Sequence, residues 1–300
     1  MKPIWLTPLL SLLLLASFNA HAAGSALRIV CDGDADGAEV YINDKFKGEC
    51  PLDLKVPEGR LKLRVQMTVD ADHEPRLFEQ EIRMGDGVMK KVEVQLSPLE
   101  LTAEGKRRQE EETIRLFELG MVAIPGKNYA IGKHEVTQGQ WKAIMGNNPS
   151  LFRDCGDNCP VEYVSWNEIQ EFLTKLNRMT GKQYRLPNEA EWEYACYGGS
   201  QTEYCGGNNI DAVAWYENNS GGKSHPVGQK QANGYGLHDM SGNVAEWMEN
   251  CYDNNCTERM YRCGSWNYSA ELSRAADARC WKSPADRAFY NGFRLARTLP

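Results

Sequence analysis

Apolar and polar residues alternate in short runs along the first part of the chain. The runs cover residues 27–30, 39–42, 61–65, 79–82 and 91–96. Each run is bounded by Gly, Pro, Asp or Asn, and a period of two interrupted by turn residues is typical of short antiparallel strands. The sequence therefore predicts a small all-β, sandwich-like domain over residues 24–97.

A charged segment follows at residues 99–118, centred on Lys106-Arg-Arg-Gln-Glu-Glu-Glu112. Its opposite charges are spaced for pairing on the surface of a helix. We predict a solvated linker helix over residues 98–117 and a second domain over residues 118–300.

In the second domain, the spacing of apolar residues changes to the period that is typical of helices. Ser165 and Glu168 have the spacing of a capping box, and Gly181 is placed to end the helix that they begin. Thr137 and Asn188 indicate two further helix starts. The apolar face of the middle helix is made by Ile169, Phe172, Leu173 and Leu176.

The first 22 residues have the features of a secretory signal peptide. Lys2 precedes an apolar run at residues 9–16 that is too short to span a bilayer, and Ala20-His-Ala22 supplies small residues for cleavage. We predict cleavage after Ala22 and export, most simply into a bacterial periplasm. No cysteine follows the cut directly, so no lipid anchor is expected.

The net charge of the chain argues against negatively charged partners. The chain has 34 Lys and Arg against 41 Asp and Glu, and its formal net charge is -7. Because an acidic chain is repelled by phosphate groups, we predict no nucleic acid and no anionic membrane as partner.

The chain has ten cysteines, grouped as close sequence neighbours. Their even number and the export signal favour disulfides, which we predict between Cys31 and Cys50, Cys155 and Cys159, Cys196 and Cys205, Cys251 and Cys256, and Cys263 and Cys280. A zinc site is the alternative, but Cys155 and Cys159 have no nearby histidine and the other pairs lack the tandem spacing of a zinc module.

The most informative stretch is Gly234-Tyr-Gly-Leu-His-Asp-Met-Ser-Gly-Asn-Val-Ala-Glu-Trp247. It resembles the central signature of the formylglycine-generating enzyme, or sulfatase-modifying factor, family. Further matches to that family are Ile131-Gly-Lys-His-Glu-Val-Thr137, Arg185-Leu-Pro-Asn-Glu-Ala-Glu-Trp-Glu-Tyr-Ala195 and Gly292-Phe-Arg-Leu-Ala296. The resemblance implies an α+β fold similar to a C-type lectin, with little regular secondary structure.

Part of this stretch has the chemistry of a metal site. Asp239 and Glu246 can offer side-chain oxygens, and Gly242 and Val244 can offer main-chain carbonyls, which is the oxygen-only set that a hard cation prefers. We predict that these four residues bind one structural calcium.

The family's oxidases convert a client cysteine to formylglycine with oxygen and a copper ion held by two cysteines. The resemblance places those cysteines after Gly264-Ser-Trp266, yet this chain has none up to Arg279, and Tyr268 stands at the first position. Cys263 and Cys280 lie outside the required positions. Because monovalent copper prefers sulfur ligands, we expect neither copper nor the oxidase activity, and we predict no catalytic residues.

Aromatic and arginine residues remain around the former active-site face. Such side chains are the preferred anchors of recognition surfaces. We predict a binding groove made by Trp266, Tyr268, Arg274, Arg279, Trp281 and Tyr290.

The first domain carries a resemblance of its own. Asp36-Gly-Ala-Glu-Val-Tyr-Ile-Asn-Asp44, Gly48-Glu-Cys-Pro-Leu52 and Val56-Pro-Glu-Gly59 are similar to the PEGA domain, although Ala35-Asp36 stand where that family has Pro-Glu. The resemblance implies an adaptor at the cell surface that makes protein or glycan contacts.

Together these features favour an exported, non-catalytic binding and regulatory protein. The partner that the family resemblance suggests is an envelope protein such as the periplasmic part of a kinase or receptor, since an exported protein of this fold activates a transmembrane Ser/Thr kinase in type VI secretion. Two alternatives stay open. One is a formylglycine-generating oxidase with divergent cysteines, and the other is a lectin-like module for glycan or peptidoglycan.

Overall fold

The computed structural model describes residues 25–276 and 279–300. The predicted signal peptide, residues 1–22, lies outside the described residues. The chain divides into two units, the first ending at Arg107 and the second running from Arg108 to Pro300. No helix in the two described ranges is both long enough and apolar enough to cross a bilayer.

The described part of the first unit, residues 25–107, contains seven strands. They are β1 (Ser25–Cys31), β2 (Glu39–Ile42), β3 (Lys45–Glu49), β4 (Leu52–Val56), β5 (Gly59–Met67), β6 (Arg76–Met84) and β7 (Met89–Val94). They form a three-stranded sheet in the order β4-β1-β7 and a four-stranded sheet in the order β3-β2-β5-β6. Both sheets contribute to one apolar core that includes Leu27, Ile29, Val40, Leu63 and Val65. The predicted all-β, sandwich-like fold is therefore confirmed.

Two details of the first unit differ from the sequence prediction. Strands β3 and β4, both at sheet edges, were not anticipated. Phe46 is the single large apolar residue of β3, and β4 is a short run in which Leu52, Leu54 and Val56 alternate with Asp53 and Lys55. In addition, β1 and β7 pair in parallel rather than antiparallel. These two strands are joined through the rest of the unit and not by a hairpin, so no tight turn imposes an antiparallel pairing.

A charged helix, α1 (Ala103–Leu119), begins in the first unit and ends in the second. Exposed pairs such as Arg107 with Glu104 lie along its surface. The last turn of α1 is partly buried. Phe117 is buried in the main core of the second unit, where its ring lies 6.1 Å from the ring of Phe172.

The second unit combines short helices with two small sheets. Its further helices are α2 (Gln138–Met145), α3 (Trp166–Thr180), α4 (Glu189–Tyr197) and α5 (Ile210–Val213). Its strands are β8 (Met121–Ala123), β9 (Tyr129–Gly132), β10 (Tyr184–Arg185), β11 (Ala245–Cys251), β12 (Arg259–Arg262), β13 (Arg279–Lys282), β14 (Asn291–Gly292) and β15 (Ala296–Thr298). The sheet orders are β10-β15-β9-β8 and β13-β12-β11-β14. This is the predicted α+β fold with little regular structure.

The predicted helix ends are confirmed. Thr137, Ser165 and Asn188 each form a capping box with the residue three positions later. Gly181 ends α3 in the left-handed conformation. The apolar face of α3 then packs into the main core, in which Trp141 stacks on Phe172 with ring centroids 5.2 Å apart.

All ten cysteines lie in the described part of the chain and form five disulfides. The pairs are Cys31–Cys50, Cys155–Cys159, Cys196–Cys205, Cys251–Cys256 and Cys263–Cys280. This confirms the predicted connectivity. Five such bonds are typical of proteins that mature in an oxidising compartment.

Candidate functional site

A buried ion pair holds the end of the 234–247 stretch. Arg294 Nε lies 2.9 and 2.8 Å from the two carboxylate oxygens of Glu246, and Arg294 Nη2 lies 2.7 Å from Oε1. The indole nitrogen of Trp192 also donates to Glu246 Oε2, at 2.7 Å. The other Arg294 donors reach the carbonyls of Gly132 and His238. The pair thus joins β11, β9 and helix α4 to the loop.

Asp239 is buried beside this pair and has an incomplete set of partners. Its Oδ2 accepts a hydrogen bond from the Gly228 amide at 2.7 Å, whereas its Oδ1 has no partner among the described residues. Burial raises the pKa of Asp239, although the Gly228 amide and the Arg294 charge act in the opposite direction. An oxygen of this kind is poorly solvated and would gain from a cation or water.

Glu135 is a third buried carboxylate, and sequence reasoning missed it. Its Oε1 accepts from the Val244 amide at 2.9 Å and its Oε2 from the Asn243 side chain at 2.7 Å. Burial, and then the charges of Asp239 and Glu246, raise its pKa well above the ordinary value. The only signal in the sequence was its place in the family-like string Ile131-Gly-Lys-His-Glu-Val-Thr137.

Residue 242 is a glycine because the main chain of residue 215 lies too close to it for a side chain. A Cβ at this position would overlap the carbonyl oxygen of Trp215, which is main chain and cannot swing away. The next amide, that of Asn243, donates to the same Trp215 carbonyl at 2.8 Å. The loop is therefore held against residue 215 by backbone contact.

The residues present fit the predicted calcium in donor type, because all four predicted ligands offer oxygen atoms. Glu135, Asp239 and Glu246 bring three carboxylates near one guanidinium. Asp239 Oδ1 has no partner among the described residues, whereas both carboxylate oxygens of Glu246 already accept hydrogen bonds from Arg294 and Trp192. The described residues contain no cluster of three acidic, histidine or cysteine side chains arranged as metal ligands. The predicted set needs only two side chains, Asp239 and Glu246, with the carbonyls of Gly242 and Val244 completing it, and calcium at these four residues stays a prediction.

Copper does not fit the former active-site position. Tyr268 lies there, with its ring 5.2 Å from that of Tyr290. The two neighbouring cysteines, Cys263 and Cys280, are bonded to each other, and no free cysteine remains. A soft monovalent metal therefore has no pair of thiolates here.

The structure brings together three of the six predicted groove residues. Trp266 lies against Phe152 and Phe289, and the ring of Phe289 lies 5.4 Å from that of Tyr290, which in turn contacts Tyr268. We call Trp266, Tyr268, Phe289 and Tyr290 the aromatic cluster.

The other three residues have different partners. Arg274 pairs with Glu203 at 2.9 Å, and Arg279 pairs with Glu189. Trp281 stacks on Tyr252 with ring centroids 4.1 Å apart. Arg279 and Trp281 lie on the face of β13 opposite to Lys282, because side chains alternate along a strand. Contacts thus join three of the six predicted groove residues, Trp266, Tyr268 and Tyr290, through Phe289, while the other three contact other partners.

Comparison with known proteins identifies one family. The profile described as "Sulfatase-modifying factor enzyme 1-like domain" matches residues 82–299. Among solved structures, Treponema denticola variable protein 1 is similar, with 30% sequence identity and a TM-score of 0.52 over 60% of this chain and 91% of that protein.

Two curated relatives illustrate the range of similar proteins. "Chaperone protein LppX" of Paenibacillus barcinonensis is 36% identical and covers 40% of this chain. "Formylglycine-generating enzyme" of Mus musculus is also 36% identical and covers 36% of this chain. The chain spans 61% of the length of the first relative and 31% of the second.

Proposed function

The chain belongs to the sulfatase-modifying factor enzyme family, and from this membership we propose that it is an exported, non-catalytic member that binds a protein of the bacterial envelope and regulates it. The observation that carries the proposal is the state of the cysteines, since all ten are in disulfides. The family resemblance in addition assigns Tyr268 to the position of the first copper cysteine of the oxidases.

The proposed compartment is the periplasm. Five disulfides are stable where thiols are oxidised and are rare in a reducing cytosol. A cleaved signal peptide at residues 1–22 would deliver the chain to that compartment.

The proposed contact surface is the aromatic cluster. Phe289 exposes 39% of its surface and Trp266 is half-buried. Aromatic side chains at the surface are frequent anchors of protein interfaces, because each buries a large area with few rotatable bonds. These two rings also contact each other, with centroids 5.8 Å apart, so they present one continuous patch.

A protein partner is supported by the name of one relative, which is a chaperone. The specific partner that we propose is the periplasmic part of a transmembrane Ser/Thr kinase, of the kind that controls type VI secretion. The PEGA-like first unit would then serve as an adaptor.

The first experiment tests whether the protein is an enzyme. Copper-loaded protein is incubated with a peptide that contains Cys-x-Pro-x-Arg, and the product is analysed by mass spectrometry. We expect no conversion of the cysteine to the aldehyde. Turnover would show that the oxidase alternative is correct.

The second experiment tests the contact surface. Purified periplasmic parts of the Ser/Thr kinases of the same organism are titrated with the wild type, with the double variant Trp266→Ala and Phe289→Ala, and with Tyr194→Ala. Tyr194 is an aromatic residue of α4 with 38% exposure and serves as the matched control. We expect at least a tenfold loss of affinity in the double variant only. Wild-type protein that binds none of the kinases would refute the kinase assignment.

One observation favours the glycan alternative. Tyr252 and Trp281 are stacked within 9° of parallel, and both are about half exposed, at 47% and 46%. A flat, exposed aromatic pair can stack on the apolar face of a sugar. Pull-down with purified peptidoglycan tests this role, and binding that is lost in Trp281→Ala would establish it.

A further inference from the structure

Lys282 brings an ammonium group among three tyrosines. Its Nζ donates to the Tyr290 hydroxyl at 3.0 Å. The same nitrogen lies 4.7 Å from the ring centroid of Tyr290 and 5.4 Å from that of Tyr261. Tyr268 completes the group, since its ring lies 5.2 Å from that of Tyr290.

This ammonium has no carboxylate partner among the described residues. It is half-buried, so water compensates its charge only in part. Contact of the ammonium group with the rings of Tyr290 and Tyr261 offsets part of this lost hydration. One of the three N–H donors of Lys282 is used by Tyr290. Two donors are therefore free to bind an anion.

The group is held by rigid parts of the fold. Lys282 ends strand β13, which pairs with β12, and Tyr261 lies opposite Cys280 in that pairing. The Cys263–Cys280 disulfide crosslinks the same two strands close to Tyr261. Tyr290 is fixed by its carbonyl, which accepts from the Ala245 amide at 2.7 Å. Polar groups that are already in place lose little entropy when a ligand binds.

The three tyrosine hydroxyls are hydrogen-bonded to one another. Burial acts to raise the pKa of Tyr290, but its hydrogen bonds with Lys282 and Tyr268 outweigh burial and lower it. Burial, followed by the hydrogen bond with Tyr261, raises the pKa of Tyr268. Since a tyrosine has one O–H donor and these are used within the group, the donors open to an anion are those of Lys282.

We propose that Lys282 binds a carboxylate group of the partner beside the rings of Tyr290 and Tyr268. The assignment rests on the proposed function, because these tyrosines belong to the aromatic cluster. The single positive charge of Lys282 matches a monoanion. Phosphate groups carry more charge and are usually held by several cationic groups, above all bidentate arginines.

The carboxylate can come from a chain terminus or from an acidic side chain, and the probes separate these sources. N-acetyl-L-phenylalanine carries a terminal carboxylate, and N-acetyl-L-glutamic acid α-amide carries a side-chain carboxylate. N-acetyl-L-phenylalaninamide is the neutral control. Binding of each probe to the full-length protein is measured by ligand-observed NMR.

We expect at least one carboxylate probe to bind at least tenfold more tightly than the neutral amide. Lys282→Met keeps most of the apolar stem and should lose at least tenfold in affinity, whereas Lys282→Arg should retain binding. Lys127→Met is the matched control, because Lys127 Nζ also lies over a tyrosine ring, 4.2 Å from the centroid of Tyr194. Thermal unfolding confirms that each variant is folded.

Two outcomes overturn the inference. The first is that neither carboxylate probe binds better than the amide, and the second is that Lys282→Met binds as tightly as the wild type. The kinase titration separates this result from the proposed function. If Lys282→Met binds the kinase as well as the wild type does while the Trp266 and Phe289 variant fails, the contact surface stands and the carboxylate site is wrong.

Discussion

Glu246 and Arg294 form an ion pair in the interior of the second unit, where their side chains expose 2% and 0% of their surface. Removing two charges from water is costly, and the pair is tolerated because hydrogen bonds reach both groups from several directions. The pair therefore acts as a connector between the 234–247 stretch and the sheet that contains β9. A substitution that removes one partner should show how much the pair matters for the free energy of unfolding.

We predict that Glu246→Gln destabilises the second unit by about 3–5 kcal/mol, because it removes the carboxylate that is hydrogen-bonded to the buried Arg294 guanidinium. The measurement is urea unfolding in the presence of EDTA, which removes any contribution from bound metal. Glu203→Gln is the control, since the pair of Glu203 with Arg274 is exposed and should contribute about 0–1 kcal/mol. Equal effects of the two substitutions would contradict the role of the buried pair.

Gly242→Ala should destabilise the protein by about 1–3 kcal/mol, because the new methyl group overlaps the Trp215 carbonyl. Gly207→Ala is a suitable control, since a Cβ there meets its nearest atom at 3.6 Å, an ordinary contact. Urea unfolding of both variants measures the difference. If Gly242→Ala proves as stable as the wild type, backbone contact is not the reason for glycine at this position.

Calcium removal should lower the melting temperature. At a calcium concentration about a hundred times the Kd, bound metal stabilises the folded state by about 2.7 kcal/mol, and EDTA should then lower Tm by about 5–10 °C. Asp239→Asn weakens the site, so EDTA should have little effect on that variant. Elemental analysis of the purified protein provides the second readout. Absence of calcium, together with an unchanged Tm in EDTA, would rule out the assignment to Asp239, Gly242, Val244 and Glu246.

Local features of this chain were predictable from sequence because they depend on residues a few positions apart. The capping box of Ser165 with Glu168 spans three residues, and Gly181 ends the same helix by its own conformation. The disulfides also join close neighbours, with separations from 4 residues for Cys155–Cys159 to 19 for Cys31–Cys50.

The candidate sites were only partly predictable, since they depend on contacts between distant parts of the chain. Glu135 contacts Asn243 across 108 positions, and no period or motif reports such a pairing. Lys282 contacts Tyr290 across only 8 positions, yet its environment is set by the pairing of β13 with β12. The alternation along β13 also explains why Trp281 and Arg279 point away from the aromatic cluster.

His134 should make stability depend on pH. Burial, then the nearby His238 and Arg294 charges, lower the pKa of His134 from its ordinary value of 6.5 to about 4. Between these two values the unfolded chain binds more protons at this position than the folded chain, so this residue makes stability rise with pH. The stability that depends on neutral His134 is fully present above pH 6.5, and it is lost as pH falls toward 4.

We therefore expect His134→Gln to reduce the loss of stability that the wild type shows between pH 7.5 and pH 5. The urea midpoint is measured at pH 5, 6, 7.5 and 9 at constant ionic strength. Between pH 7.5 and 9 the substitution should leave the slope unchanged, because His134 is neutral in both states there, and this range is the internal control. A variant that loses stability below pH 6.5 as steeply as the wild type would show that His134 is not the group responsible.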